Sequence, residues 1–247
     1  MPEPILRAEA VTKRFGGFTA LSGISASFLA GQLTAIIGPN GAGKSTFFNV
    51  LSGSFPPSSG RIFLDGTDIT HTPQHQLAHM GIAKSFQITN LFPKLSVHEN
   101  VRIAAQALRS RFNLWAARDA LDLDGEVMAL LARVGLTDRR FEQADTLAHG
   151  QQRCLEIAVA LACKPRVLLL DEPTAGMSPQ EAREMMDLIL ALNEERTVIL
   201  VEHRMKLVMG ISDRIVVLHH GTLLAEGAPD DIRRHDEVRR VYLGQSV

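Results

Sequence analysis

The chain has 247 residues, 45% hydrophobic and 21% charged, which is the make-up of an ordinary globular protein with a full core. Its 26 Lys and Arg against 27 Asp and Glu leave a net charge of −1, so the molecule as a whole carries no footprint for nucleic acid. No apolar run approaches the roughly 20 residues of a membrane helix, and Pro2, Glu3 and Pro4 do not open a secretory signal. Cys154 and Cys163 form neither a metal motif nor a disulfide framework, and a reducing, cytosolic compartment is expected. Arg133, Arg139 and Arg140 cluster, as do Arg233, Arg234, Arg239 and Arg240, and both groups read as solvated helix faces.

In chain order, Ile5 to Val11 is a predicted strand and Gly16-Gly17 a turn. Thr19 to Leu29 is a second strand, followed by a turn at Gly31-Gln32. Leu33 to Ile37 is a continuous apolar run, the pattern of a strand buried on both faces of a parallel sheet. Lys44 to Ser52 follows as helix and Arg61 to Leu64 as strand. From about Leu91 to His149 the pattern changes, with helical spacing over Val97 to Ser110 and Leu123 to Val134 and no strand between them. Strand and helix then alternate again: Val167 to Leu170, Pro179 to Asn193, Thr197 to Val201 and Arg214 to Leu218, with a helical tail over Pro229 to Leu243. The expected architecture is an α/β core interrupted by a helical lobe.

The sharpest chemical signal is Gly38-Pro39-Asn40-Gly41-Ala42-Gly43-Lys44-Ser45-Thr46, a match to the phosphate-loop pattern G-x-x-x-x-G-K-[ST] between a strand and a helix. Its glycines let backbone N–H groups curl around phosphate oxygens, and the helix that follows presents its positive end to the same anion. Lys44 can neutralise β- and γ-phosphate charge, and the Ser45 hydroxyl can ligate Mg²⁺. A second signal is Val167 to Glu172, an apolar strand delivering two acids at its C-terminal end. There Asp171 would hold Mg²⁺ through water and Glu172 would act as general base on the attacking water. Phosphate loop and acid strand together specify a nucleotide hydrolase.

Four further stretches narrow the class. Leu147-Ala148-His149-Gly150-Gln151 precedes an apolar-faced helix, Gln87 lies in Ala83-Lys-Ser-Phe-Gln87, His203 follows Val201-Glu202, and Phe15 precedes Gly16-Gly17. In this order, over nearly the whole chain, they resemble the signature, Q-loop, switch histidine and adenine-stacking aromatic of ABC transporter ATPases. The resemblance implies a P-loop NTPase core of RecA-like type, with a mostly parallel sheet, an N-terminal antiparallel β part and an inserted α-helical subdomain. One domain over 5–247 would divide into a catalytic core (5–87 and 151–247) and a helical subdomain (88–150), the tail occupying 229–247. It also implies head-to-tail pairs sandwiching two ATP molecules, each held by one subunit's phosphate loop and faced by the other's signature. Gln87 would sense nucleotide and contribute to the Mg²⁺ site, and His203 would steady γ-phosphate. The pattern departs from the family in two places. Ala148 and His149 stand where serine and glycine are usual, removing a potential phosphate hydrogen bond of about 1.5–3 kcal/mol. Ser178, in Ala175-Gly-Met-Ser178, stands where aspartate is usual.

Phe15-Gly-Gly-Phe-Thr-Ala-Leu, Gly81 to Phe92, Glu202 to Arg214 and Val241-Tyr-Leu-Gly resemble the ATPase subunits of bacterial branched-chain (hydrophobic) amino-acid importers, a group that includes urea and short-amide relatives. That resemblance implies a peripheral protein on the cytoplasmic face of the inner membrane. Its partners would be a second ATPase subunit (self or paralogue) and two permeases, with a periplasmic solute-binding protein acting indirectly and no nucleic acid. Two readings of other classes stay open: a non-transport ABC ATPase, and a clamp that binds ATP without hydrolysing it. The absence of coiled-coil insertions counts against the first, and intact Lys44, Asp171, Glu172 and His203 against the second.

Overall fold

A computed structural model of the chain describes residues 3–85, 91–107 and 116–242. It opens with a long hairpin, β1 (Pro4–Phe15) and β2 (Phe18–Leu29), closed by a turn in which Gly16 sits at φ +57°. Then come β3 (Leu33–Ile37), α1 (Lys44–Leu51), β4 (Ser59–Leu64), β5 (Thr67–Asp68), α2 (Gln74–His79) and β6 (Ile82–Lys84). Helices α3 (Val97–Ala107), α4 (Ala116–Arg133) and α5 (His149–Leu161) follow, with short 3₁₀ turns at Thr137–Arg139 and Ala144–Thr146. The chain continues through β7 (Val167–Asp171), α6 (Pro179–Asn193), β8 (Thr197–Val201) and α7 (Met205–Ile211). The last elements are β9 (Arg214–His219), β10 (Thr222–Gly227), α8 (Pro229–Arg234) and α9 (Asp236–Val241).

Two sheets result. One is antiparallel in the order β2-β1-β4-β5; the other runs β10-β9-β3-β8-β7-β6, parallel except for β10 at its edge. The three fully buried strands β3, β7 and β8 alternate strictly between two cores, as the two-residue period of a strand requires. Leu33, Ala35, Ile37, Leu168, Leu170, Val198 and Leu200 face one core, shared with α5, α6 and the helical lobe. Ile36, Val167, Leu169, Ile199 and Val201 face the other, shared with α1 and the antiparallel sheet. The continuous apolar runs of the sequence are thus strands with no solvent face.

The structure extends several predicted elements and adds short ones. The first strand continues to Phe15, and the tail helix divides at His235, whose φ of −67° and ψ of 113° are extended. Five short elements, β5, α2, β6, α7 and β10, are additions to the sequence reading. Between 91 and 149 the described residues hold helices and one isolated bridge, Ser96 to Gln143. Helix α5 packs on both α3 and α4, so the stretch carrying the signature begins where the lobe meets the core.

Candidate nucleotide site

The site is built at one edge of the parallel sheet. Strands β3, β8 and β7 are neighbours, and their C-terminal ends carry Gly38, Glu202-His203 and Asp171-Glu172. Residues 38, 172 and 203 are far apart in sequence but adjacent here because parallel strands point the same way. The phosphate loop curls between β3 and α1, and Gly43, the residue before α1, sits at φ +96°. A Cβ there would lie 2.8 Å from Leu21 Cδ2 and 2.9 Å from the Ala20 carbonyl. A Cβ on Gly38 would lie 2.1 Å from the Leu218 carbonyl. Both glycines are therefore required by close backbone approach as well as by φ.

Residues 40–46, with Phe18, Ala20 and Glu172, line a cavity of about 280 Å³. Lys44 is buried, its Nζ donating to the Gly38 carbonyl at 2.7 Å and the Pro39 carbonyl at 3.0 Å. Burial pulls the Lys44 pKa down, and the nearby carboxylates of Glu172 and Asp171 work against that. Asp171 is also buried; desolvation pushes its carboxyl up, Lys84 opposes this, and Glu172 adds to it. Its Oδ1 is enclosed and has no hydrogen-bond partner among the described residues. An orphaned, buried carboxylate oxygen beside a phosphate loop is the donor that a hard divalent cation requires, so the residues present fit Mg²⁺.

Glu172 sits at φ +46°, an uncommon region for a residue with a Cβ, and is held by its own N–H to the Val201 carbonyl at 2.9 Å. Its Oε1 lies 3.9 Å from Nδ1 of His203, whose side chain is half exposed. Glu172 lines the phosphate cavity, and His203 stands beside it without lining the cavity itself. Gln87 lies outside the described residues.

Phe15 does not line the phosphate cavity. Its ring packs edge-on against Phe55, with centroids 5.6 Å apart, beside the Lys13 ammonium. Phe18, its cross-strand partner at the hairpin tip, does line the cavity and is 67% exposed. The sequence reading missed Phe18, because a single Phe in an alternating strand reads as core.

The signature sits elsewhere. Leu147 is buried, and Ala148, His149, Gly150 and Gln151 form the entry to α5 without lining the phosphate cavity. Ala148 has the extended N-cap conformation, φ −59° and ψ 153°, but no side-chain acceptor. Only the return half of a capping box exists, the Ala148 N–H donating to Gln151 Oε1 at 3.2 Å. The first turn of α5 carries no acidic residue, which leaves its positive end open to an anion. His149 Nε2 donates to the Ala175 carbonyl at 3.2 Å, and the ring lies where a Cβ on Gly176 would meet it at 3.3 Å. Ser178 caps α6: its Oγ accepts from the Glu181 N–H at 3.3 Å, and its N–H donates to Glu181 Oε2 at 2.8 Å.

Residues 21–175 match the ABC transporter family. The chain belongs to that family. The phosphate loop, the signature-like stretch and the acid strand, residues 38–46, 147–151 and 167–172, all fall within the matched span. Residues 222–247 match a second family, the branched-chain amino acid ATP-binding cassette transporter. The BraF high-affinity branched-chain amino acid transport ATP-binding protein of Pseudomonas aeruginosa is 42% identical over the whole of both chains. The LivG protein of Escherichia coli K12, named for the same transport, is 39% identical, again over the whole of both chains. Among solved structures, a nucleotide-free ATP-binding cassette from an ABC transporter superposes with a TM-score of 0.86 at 31% identity, covering 96% of this chain and 98% of that one. An ADP-bound ABC cassette gives the same TM-score of 0.86 over 97% of this chain and 98% of its own.

Proposed function

We propose that this ABC cassette hydrolyses ATP to drive an importer of branched-chain or other hydrophobic amino acids. The observation that carries the ATPase reading is the convergence of Asp171, Glu172 and His203, at the ends of adjacent strands, with Lys44 at the start of α1 after the neighbouring strand. In this reading the phosphates enter the loop 38–46, and Lys44 leaves its two carbonyl partners to meet the β- and γ-oxygens. Glu172 takes the proton of the attacking water, and His203 steadies the γ-phosphate. Ser45, Asp171 and Gln87 would hold Mg²⁺, which when bound neutralises phosphate charge. Phe15 and Phe18, paired at the hairpin tip, are the apolar surfaces for the adenine.

The signature residues Ala148, Gly150 and Gln151 line a different cavity from the phosphate loop, which supports a head-to-tail pair with a second cassette, either a copy or a paralogue. The α5 N-terminus of one subunit would then meet the γ-phosphate held by the other. A groove of about 550 Å³ between α2, β6 and α5, with an apolar floor that includes Ile82, Leu91 and Val159 and polar groups that include Gln74, His75 and Glu156, would receive an amphipathic helix from one of two permeases. No described helix is long and apolar enough to cross a membrane, so the cassette would sit peripherally, at the cytoplasmic face of the inner membrane. Amino-acid import is supported by the full-length similarity to BraF and LivG and by the match over 222–247.

The test is ATP turnover of the purified chain, alone and with its permeases, beside Glu172→Gln. Mg²⁺-dependent turnover that the variant loses, with an ATP-stabilised dimer in its place, is the expected result. Tight ATP binding without turnover, permeases included, would instead establish the clamp. Leucine uptake against urea and acetamide uptake by cells carrying or lacking the chain discriminates the cargo.

A further inference from the structure

Directly after β8 stands Glu202, with no exposed surface. Its Oε1 accepts from the Thr174 hydroxyl and, at 3.3 Å, from the Thr174 N–H. Its Oε2 accepts from the His203 N–H at 2.8 Å and the Arg204 N–H at 3.1 Å. Thr174 is equally buried and lies two residues beyond Glu172, while His203 is the switch histidine. One carboxylate therefore joins the loop after β7 to the loop after β8. The join is doubled by Arg204, whose Nη2 donates to the Met177 carbonyl at 2.8 Å. A carboxylate removed from water is costly unless donors surround it. Here all four donors belong to the two segments that carry Glu172 and His203.

We propose that Glu202 is a positioning residue that locks the switch histidine to the acid-bearing loop. The proposal rests on the assignment of Glu172 and His203 as the hydrolytic pair. The side chains of those two residues lie 3.9 Å apart, and the last backbone bond between their segments is that from the Glu172 N–H to the Val201 carbonyl, at the very ends of β7 and β8. Past that bond the Glu202 clamp, with Arg204, joins residues 174–177 to residues 203 and 204, so a displacement of the 174–177 loop is passed to His203 rather than absorbed. Hydrolysis depends on that spacing, whereas ATP binding depends on the phosphate loop, which Glu202 does not touch.

The test is Glu202→Gln, which keeps the shape and the two bonds on the histidine side but leaves the Thr174 N–H facing an amide. Expected is a fall in kcat of about tenfold, the size of one lost hydrogen bond, with KM for ATP within about twofold of wild type. Thr174→Val cuts the clamp from the other side and should reproduce that split. Combined with His203→Ala, neither substitution should lower kcat further, because a residue acting through the histidine has nothing left to act on. Losses that multiply with His203→Ala, or a raised KM with kcat intact, overturn the proposal. Full turnover by Glu172→Gln would instead remove the hydrolytic pair itself, a separate failure.

Discussion

Replacing Ala148 with serine adds one oxygen at a site already shaped to receive it. The backbone of Ala148 has N-cap geometry, and Gln151 at the third helical position already reaches back to its N–H at 3.2 Å. The new hydroxyl would accept from the Gln151 N–H and complete the capping box. Restoring an N-cap oxygen in place of alanine stabilises by about 0.5–2 kcal/mol. For a chain of this size that raises Tm by roughly 2–4 °C per kcal/mol. Accepting leaves the hydroxyl proton unused, so the same group can donate to γ-phosphate across the proposed sandwich. A hydrogen bond to a charged partner contributes about 1.5–3 kcal/mol, which tightens ATP-driven pairing by about 10- to 100-fold at each composite site. The two effects separate by assay. Differential scanning fluorimetry without nucleotide reads the cap, and sedimentation of the Glu172→Gln background with ATP reads the phosphate bond. An unchanged nucleotide-free Tm would refute the cap argument. A raised Tm with unchanged ATP-dependent dimerisation would show that α5 does not face phosphate.

Gly43→Ala should weaken ATP binding by about tenfold or more, since φ +96° and a Cβ 2.8 Å from Leu21 both oppose it. Gly41→Ala, also at positive φ but with open space around the new Cβ, should cost less in the same titration. Ser178→Ala removes the oxygen that caps α6 and should lower stability by about 1 kcal/mol, read as a drop in Tm with or without ATP. Burial pushes the Cys154 thiol up to about 11 and raises Cys163 as well. At pH 7.5 the thiolate fraction of Cys154 is then about 100-fold below that of an ordinary cysteine, and labelling of the native protein by a thiol reagent should be correspondingly slow. Its rate should still be climbing with pH well above pH 9, and fast labelling at neutral pH would contradict the burial.

The chemistry was legible because each functional group is local in sequence. Gly38 to Thr46 carries its own strand-to-helix context, and Val167 to Glu172 is a buried strand with its acids attached. Short elements escaped because three to seven residues cannot display a period: β6 spans only Ile82–Lys84, and α7 only Met205–Ile211. Phe18 and Glu202 escaped for a different reason. Their contacts are with partners distant in the chain, the loop 40–46 for Phe18 and Thr174 for Glu202, so nothing local in sequence marks either one. Ser178 was legible and under-read. Ser178-Pro179-Gln180-Glu181 is a capping box with proline at the first helical position, a pattern that announces the start of α6 without the structure.

That capping box changes the meaning of the two departures from the usual ABC pattern. The entries to α5 and α6 lie side by side: a Cβ on Gly150 would sit 3.4 Å from Glu181 Oε1, and His149 reaches the Ala175 carbonyl. At α6 a serine in place of aspartate keeps the cap oxygen and gives up a charge. At α5 an alanine in place of serine gives up the oxygen, and the neighbouring histidine supplies a bond to the adjacent loop instead. Gly176 makes this contact sterically accessible, because a side chain at that position would press on the His149 ring at 3.3 Å. The signature is thus tied within its own chain to the loop that follows Glu172. Movement of one subunit's signature onto the partner's ATP would then pull on its own acid-bearing loop. Weakening that tie by His149→Phe, which keeps an aromatic ring but removes its donor, should loosen this coupling and leave ATP binding at the chain's own phosphate loop unchanged.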